Sequence, residues 1–340
     1  MIRFALFPLL LLATAAHAAP PDPPLIEAAR KEGAVVWYST LIVNQIVRPM
    51  VDAFKAKYPG IEVQYSRASG SDTALKIMNE ARARRGAADI FDGTSTLTPL
   101  MQAGLVASYK PKEAEAYPPE LKDKDGYWTV PNLFFLTAGY NTNLVKPEDL
   151  PKTWDDLLNP RWKGQIAWTN DMSSGGPPGF VNHILTIKGQ EKGLDYLRKF
   201  NAQQPVTIPA AQRVVLDKVI AGEYPLALMI FNYHAAISAE QGAPVGWLKL
   251  EPLIETMNVV AIVRDSPHPN AARLFVEFML SDEGQQVMAD NNYMPAKPSI
   301  PARIPELKPE AGHFTVNLMT TDMVRDNLAR WTAQYHELFR

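Results

Sequence analysis

The sequence predicts an α/β fold in two lobes, and three observations carry that prediction. Short apolar runs of strand length alternate with amphipathic helical stretches, the pattern of largely parallel sheets. The length of 340 residues suits two units at ~100–200 residues each. Hydroxyl, amide and glycine residues gather where strands hand over to helices, the side on which open parallel sheets bind ligands.

Met1-Ile2-Arg3, the apolar run Phe4 to Leu12, and Ala16-His17-Ala18 have the layout of a cleavable signal peptide over 1–18. A Pro-rich leader (Pro20 to Pro24) precedes the first strand, Ala34 to Tyr38, which ends in Ser39-Thr40. Ile46, Val47, Met50, Val51 and Phe54 share one face of a helix stopped by Pro59-Gly60, and Ile61 to Tyr65 alternates as a second strand. Ser69-Gly70-Ser71-Asp72 opens a helix with Leu75, Met78 and Ala81 expected inward and Arg82, Arg84 and Arg85 at its C-terminal end. Asp89 to Phe91 is a third strand, and Thr94-Ser95-Thr96 begins the next helix.

Pro131 to Tyr140 is a long β-type run suited to crossing between lobes. Thr153 to Leu158 is a capped short helix, and Gln165 to Trp168 is a strand leading into Thr169 to Gly176. Helices follow near 179–188 and 190–200, and another after Pro209 carries Val214, Val215, Lys218 and Val219. Leu226 to Ile230 is a buried strand ending in Phe231-Asn232-Tyr233-His234. Met257 to Val263 is a strand, Asn270 to Leu280 an amphipathic helix, and a terminal helix spans about 320–338.

Composition excludes several classes. A net charge of −2 gives no broad basic footprint for nucleic acid. Zero cysteine removes disulfides, thiolate metal sites, cysteine nucleophiles and a lipid anchor on an N-terminal cysteine. After the signal no run has the length of a transmembrane helix. The expectation is an exported protein diffusing in a Gram-negative periplasm. No GxSxG elbow, Walker loop, GxGxxG fingerprint or HExxH pair occurs, so nothing asks for an enzyme. His234, just past a strand end, is the histidine placed as a site candidate.

Four strand ends, at 39–40, 69–73, 94–96 and 173–176, combine hydroxyls with helix N-termini. Such groups suit an anion, because free N–H donors and the positive ends of helix dipoles meet there. The same residues are also ordinary N-caps.

The chain resembles the periplasmic substrate-binding proteins of ABC transporters, in the ferric-iron-binding (transferrin-like) type II branch. The resemblance covers about 33–300. It rests on Val36-Trp37-Tyr38-Ser39-Thr40, on Tyr58-Pro59-Gly60-Ile61-Glu62-Val63 and on Ala88-Asp89-Ile90-Phe91-Asp92. Gly139-Tyr140-Asn141-Thr142, Thr153 to Leu157, Gly222 to Ala227 and Pro267 to Gln285 extend it. It implies two lobes, 19–135 plus 256–300 and 136–255, closing on a solute, with 301–340 a C-terminal helical segment packed on them. It also implies delivery to an inner-membrane ABC permease by a receptor expected to be monomeric.

The branch uses a histidine, a glutamate and two adjacent tyrosines for Fe(III). Here those places read Ile42, Thr94 and Asn232-Tyr233, while Ser173-Ser174-Gly175 falls where the synergistic anion is held. The expected ligand is therefore a small organic anion: a carboxylate, phosphonate or sugar phosphate, with no cofactor. Ser39, Thr40, Ser69, Gly70 and Thr94 are expected to line one wall. Ser173, Ser174, Gly175, Asn232, Tyr233 and His234 are expected to line the other, with Arg213 as a charged fork. The alternative is ferric iron with a synergistic anion, using Tyr233 and Tyr140. A periplasmic hydrolase on the same fold is a further alternative, for which no nucleophile–base spacing is visible.

Overall fold

The computed structural model describes residues 22–339; the expected signal segment lies outside them. Helix α1 (Pro23–Glu32) starts inside the leader that the sequence reading left without structure. Two prolines suit its first turn, where their missing N–H groups lose no bond, and Gly33 ends it at φ +73°. The first lobe then builds β1 (Ala34–Ser39), a π-turn (Val43–Val47) running into α2 (Arg48–Lys57), β2 (Glu62–Arg67), α3 (Gly70–Arg82), β3 (Ile90–Asp92), α4 (Thr94–Gln102) and the short β4 (Val106–Ala107).

Strand β5 (Thr129–Asn141) carries the chain into the second lobe. There lie β6 (Ile166–Thr169), α5 (Pro177–Lys188), α6 (Gln190–Ala202), β7 (Val206–Ile208), α7 (Gln212–Ile220), β8 (Leu226–Phe231), α8 (Asn232–Glu240) and β9 (Val245–Trp247). Strand β10 (Leu253–Val263) returns the chain. It is followed by α9 (Pro269–Leu280), α10 (Asp282–Asp290), β11 (Met294–Pro295), α11 (Pro309–Gly312), β12 (Val316–Met319) and α12 (Thr321–Leu338).

One continuous sheet runs in the order β2-β1-β3-β10-β5-β8-β6-β7. Its flanks are parallel: β1 with β2 and β3, and β6 with β7 and β8. The middle is antiparallel, with β10 against β5 from Val260/Thr129 to Ile254/Leu136. These two strands join the lobes. β10 is buried along its whole length, which is why it reads as an unbroken apolar run rather than an alternating one.

Each lobe has its own aromatic core. Trp37, Phe54, Phe275 and Phe278 cluster in the first. Trp168, Phe180 and Phe200 cluster in the second, joined by Tyr335 and Phe339 from the C-terminal end. Among the described residues no helix is long and apolar enough to cross a membrane.

Two local expectations are corrected. In α3 the inward residues are Thr73, Ala74 and Ile77, whereas Leu75 is 54% exposed. Met78 is half-buried against the first-lobe core, so of the expected inward residues it is Leu75 that lies outside. The tail from 301 onward is not purely helical, since β12 pairs in parallel with β10 from Leu253/Val316 to Thr256/Met319.

Candidate functional site

The strand ends of the first lobe converge on Asp92, which is fully buried. Its carboxylate accepts from Trp37 Nε1 (2.8 Å), Ser39 Oγ (2.5 Å), the Thr40 N–H (2.8 Å) and Thr40 Oγ1 (2.5 Å). Burial pushes this carboxyl up from its ordinary value, while the four donors pull it back. Gly93 follows at φ +99°, where a Cβ would come within 2.9 Å of Thr40 Cγ2. A Cβ on Gly70 would meet Ser95 Oγ at 2.4 Å. Both glycines therefore allow close approach, and the N-termini of α3 and α4 lie side by side.

Several hydroxyls expected to face a ligand are committed elsewhere. Ser39 and Thr40 donate to Asp92, and Thr94 Oγ1 donates to the Met257 carbonyl at 2.8 Å. Ser69 caps α3, accepting from the Asp72 N–H and donating to the Asp72 carboxylate. Of the first-turn N–H groups, those of Asp72, Thr73 and Thr96 are bonded to Ser69 and Gly93, which leaves Gly70, Ser71, Thr94 and Ser95 as the donors without a partner among the described residues.

In the second lobe Asp171 organises the loop before α5. It accepts from the Ser173 N–H (3.1 Å) and Ser173 Oγ (2.9 Å), and Ser173 Oγ accepts from the Gly175 N–H (3.2 Å). The Gln212 amide donates to the Gly175 carbonyl at 3.1 Å, which sets the start of α7 beside the loop. Arg213 follows, half exposed and tied on one edge to Asp217 at 3.0 Å.

An aromatic group packs beside these loops. Tyr233 on α8 and Tyr293 just before β11 belong to one buried cluster, 5.7 Å apart between centroids and each only 2% exposed. Phe134 and Phe231 pack on them. The Tyr293 hydroxyl accepts from the Ile42 N–H at 3.3 Å. Both phenols are pushed up, chiefly by burial. The Tyr293 hydroxyl raises Tyr233 further and Arg213 opposes the shift, whereas Arg67 opposes that of Tyr293.

His234, 4.3 Å from Tyr233 between ring centroids, is 6% exposed, and neither ring nitrogen has a hydrogen-bond partner among the described residues. Burial, with a smaller contribution from Arg213, lowers it to about 3, so the ring is neutral.

Two predicted site residues lie outside this arrangement. Asn232 is fully buried and its amide donates to the Leu307 carbonyl at 2.9 Å, tethering the C-terminal segment. Tyr140 pairs with Leu226 and Gly246, and its ring covers Gly246. It stands four residues beyond Leu136, roughly 13 Å along the strand, so it cannot supply a second phenol to this site. Among the described residues no cluster of three or more His, Asp or Glu is set to hold a metal.

Tyr293, Arg67 and Gln212 were not anticipated. The strand that the alternation ends at Tyr65 runs on to Arg67, and Tyr293 reaches Ile42 across 251 positions and leaves no local signature.

Residues 86–312 match the family described as bacterial extracellular solute-binding protein. The Fe(3+)-binding periplasmic protein of Serratia marcescens is 23% identical over 275 residues, covering 78% of this chain and 79% of its own. Iron-bound HitA from Pseudomonas aeruginosa superposes with a TM-score of 0.75 at 25% identity, over 90% of this chain and 99% of that one. AfuA from Actinobacillus pleuropneumoniae, with exogenous fructose-6-phosphate bound, gives 0.74 at 22%, over 90% and 98%.

Proposed function

Because the chain belongs to the bacterial extracellular solute-binding proteins, we propose that it is a periplasmic receptor that captures a small organic anion by lobe closure and delivers it to an ABC importer. The proposed lobes are 19–135 plus 256–300 and 136–255, hinged on β5 and β10. Closure about two such strands is a hinge motion.

The observation that carries this reading is the position of Arg213. Its neighbour Gln212 donates to the Gly175 carbonyl, which holds the start of α7 at the Ser173–Gly175 loop, and its Asp217 partner steadies only one edge of the guanidinium. In the first lobe the abutting N-termini of α3 and α4 supply N–H donors and a positive field. The ligand set proposed is Arg213, Ser174, the Gly175 backbone, Tyr233, His234 and the first turns at Gly70 and Thr94.

A thermal-shift screen with carboxylates, phosphonates, sugar phosphates and ferric citrate tests it. A ligand at 100 times its Kd stabilises by about 2.7 kcal/mol. A shift produced by neutral or cationic solutes but by no anion overturns the reading.

One observation favours ferric iron instead: Tyr293 brings a second phenol to Tyr233. Opposing it, both phenols are pushed up rather than down, and four donors already occupy the Asp92 carboxylate. The ferric reading requires a coloured tyrosinate complex that Tyr233→Phe abolishes. A colourless protein after ferric citrate loading removes it.

A further inference from the structure

We infer that the C-terminal helix α12 is a strap across the hinge, built into the second lobe and resting its first turn on the first, so that it sets the pose of the lobes together with β5 and β10. The inference rests on the lobe division proposed above and not on the identity of the solute. The far end of α12 is anchored in the second lobe. Trp331 and Tyr335 are buried there, and Tyr335 and Phe339 pack edge-on to Trp168. The helix lies on α5 and α6, and it also meets α4 of the first lobe. At 18 residues it is roughly 27 Å long, and it moves as one piece with the lobe that holds its core residues.

Strand pairing brings the two helices together. β5 takes one edge of β10, and β3 and β12 share the other. β12 runs parallel to β10 and ends with Met319 at Thr256, whereas β3 runs antiparallel and ends with Asp92 at Val260. The two strand ends thus head toward each other, about 13 Å apart along β10, before their chains turn off into α12 and α4. The stretch between them is held from the first lobe: the Met257 carbonyl accepts from Thr94 Oγ1 at 2.8 Å and the Val259 carbonyl from the Gly93 N–H at 2.9 Å. Opposite, Thr320 caps α12 by accepting from the Met323 N–H at 3.2 Å, and Thr321 is only 5% exposed. Met319 Cε lies 3.3 Å from where a Cβ on Gly179 of α5 would stand, so the junction is closed on the second-lobe side as well. A hinge motion carries α12 with one lobe and α4 with the other, so their contact changes whenever the lobes turn. Its free energy therefore enters the balance of lobe poses, and apparent affinity for a solute scales with the competent fraction.

Spin labels at Leu75→Cys on α3 and Leu144→Cys in the second lobe, both side chains more than half exposed, read the inter-lobe distance in a chain with no other cysteine. Pulsed dipolar spectroscopy is run on the labelled protein without solute, alone and with three substitutions at the start of α12. Thr320→Val removes the cap and frays the first turn, Thr321→Arg forces a long charged side chain into the contact, and Thr320→Ser keeps the cap. Thr320→Val and Thr321→Arg should each move the mean distance by more than ~2 Å, the scale of a domain rearrangement, while Thr320→Ser leaves it in place. An unchanged distance in both, with native helix content by circular dichroism, overturns the strap; the anion reading stands or falls by its own thermal-shift screen. A shift in Thr320→Ser as large as in Thr320→Val overturns it too, because the capped turn would then not be what holds the lobes. If Thr321→Arg does not fold, Thr320→Val, which leaves the buried Thr321 in place, decides.

Discussion

Replacing His234 by Phe should stabilise the protein and flatten its response to acid. The imidazole is buried against Phe231 and Tyr233 with both nitrogens unpartnered. Stranding buried polar atoms costs about 1–3 kcal/mol, so an apolar ring in their place should gain an amount in that range at pH 7. The pH term is separate. A histidine held at about 3 against an unfolded value near 6.5 contributes stability fully present above pH 6.5. That contribution is lost as pH falls, at roughly 1.4 kcal/mol per unit.

His183, likewise buried and held at about 3, adds an equal slope. Glu255 opposes them. Burial raises it to about 7, so stability is recovered as pH falls from 7 toward 4.5, again at roughly 1.4 kcal/mol per unit. Between pH 6.5 and 4.5 these three groups give the wild type a net loss of about 1.4 kcal/mol per unit, and below 4.5 about 2.7. In the variant His183 and Glu255 cancel, leaving a plateau from 6.5 to 4.5. Exposed carboxylates with lowered values, such as Asp149 and Asp326, are common to both proteins and drop out of the difference. Urea unfolding at pH 7.5, 5.5 and 4.0, followed by tryptophan fluorescence, measures it. A variant that is less stable at pH 7.5 and keeps the wild-type slope refutes the reasoning.

Asp92→Ala strands four donors, two of them on the fully buried Trp37 and Ser39, and should cost about 3–5 kcal/mol in urea unfolding; a loss under ~1 kcal/mol would mean those donors have other acceptors. Lys297→Met removes the partner of Glu113 at 2.9 Å in a buried ion pair whose ammonium also meets the exposed Asp282 at 2.6 Å. It should cost about 3–5 kcal/mol, most of it recovered on adding Glu113→Leu, because one buried charge without its partner is worse than neither. Failure of the double variant to recover would place the cost in packing.

Local chemistry made most elements legible. The crossing strands β5 and β10 advertised themselves as apolar runs, and Ser69 marked the start of α3 as its cap. What escaped depended on partners distant in sequence. The inward face of α3 is Thr73, Ala74 and Ile77 with Met78 beside them, and Leu75 ends outside. β12 has no strand signature of its own and forms because β10 offers it an edge. Asn232 looked like a ligand because it follows a strand end, but the acceptor that claims it is 75 positions away.

The hydroxyl groups carry the clearest lesson, because capping and binding use the same atoms. In each lobe an aspartate stands behind them: Asp92 accepts hydrogen bonds from the hydroxyls of Ser39 and Thr40, and Asp171 accepts one from that of Ser173. A hydroxyl that donates inward has only lone pairs left to present. Ser39 and Ser173 turn theirs to the N–H groups of Leu41 and Gly175, so they shape loops rather than greet a solute. Lone pairs facing a cleft repel an anion. Attraction must then come from donors with no inward acceptor: the N–H groups of Gly70, Ser71, Thr94 and Ser95, and the Arg213 guanidinium. The near balance of charge over the whole chain hides this, because the positive field is local, made by backbone ends and by a guanidinium whose carboxylate partner covers one edge.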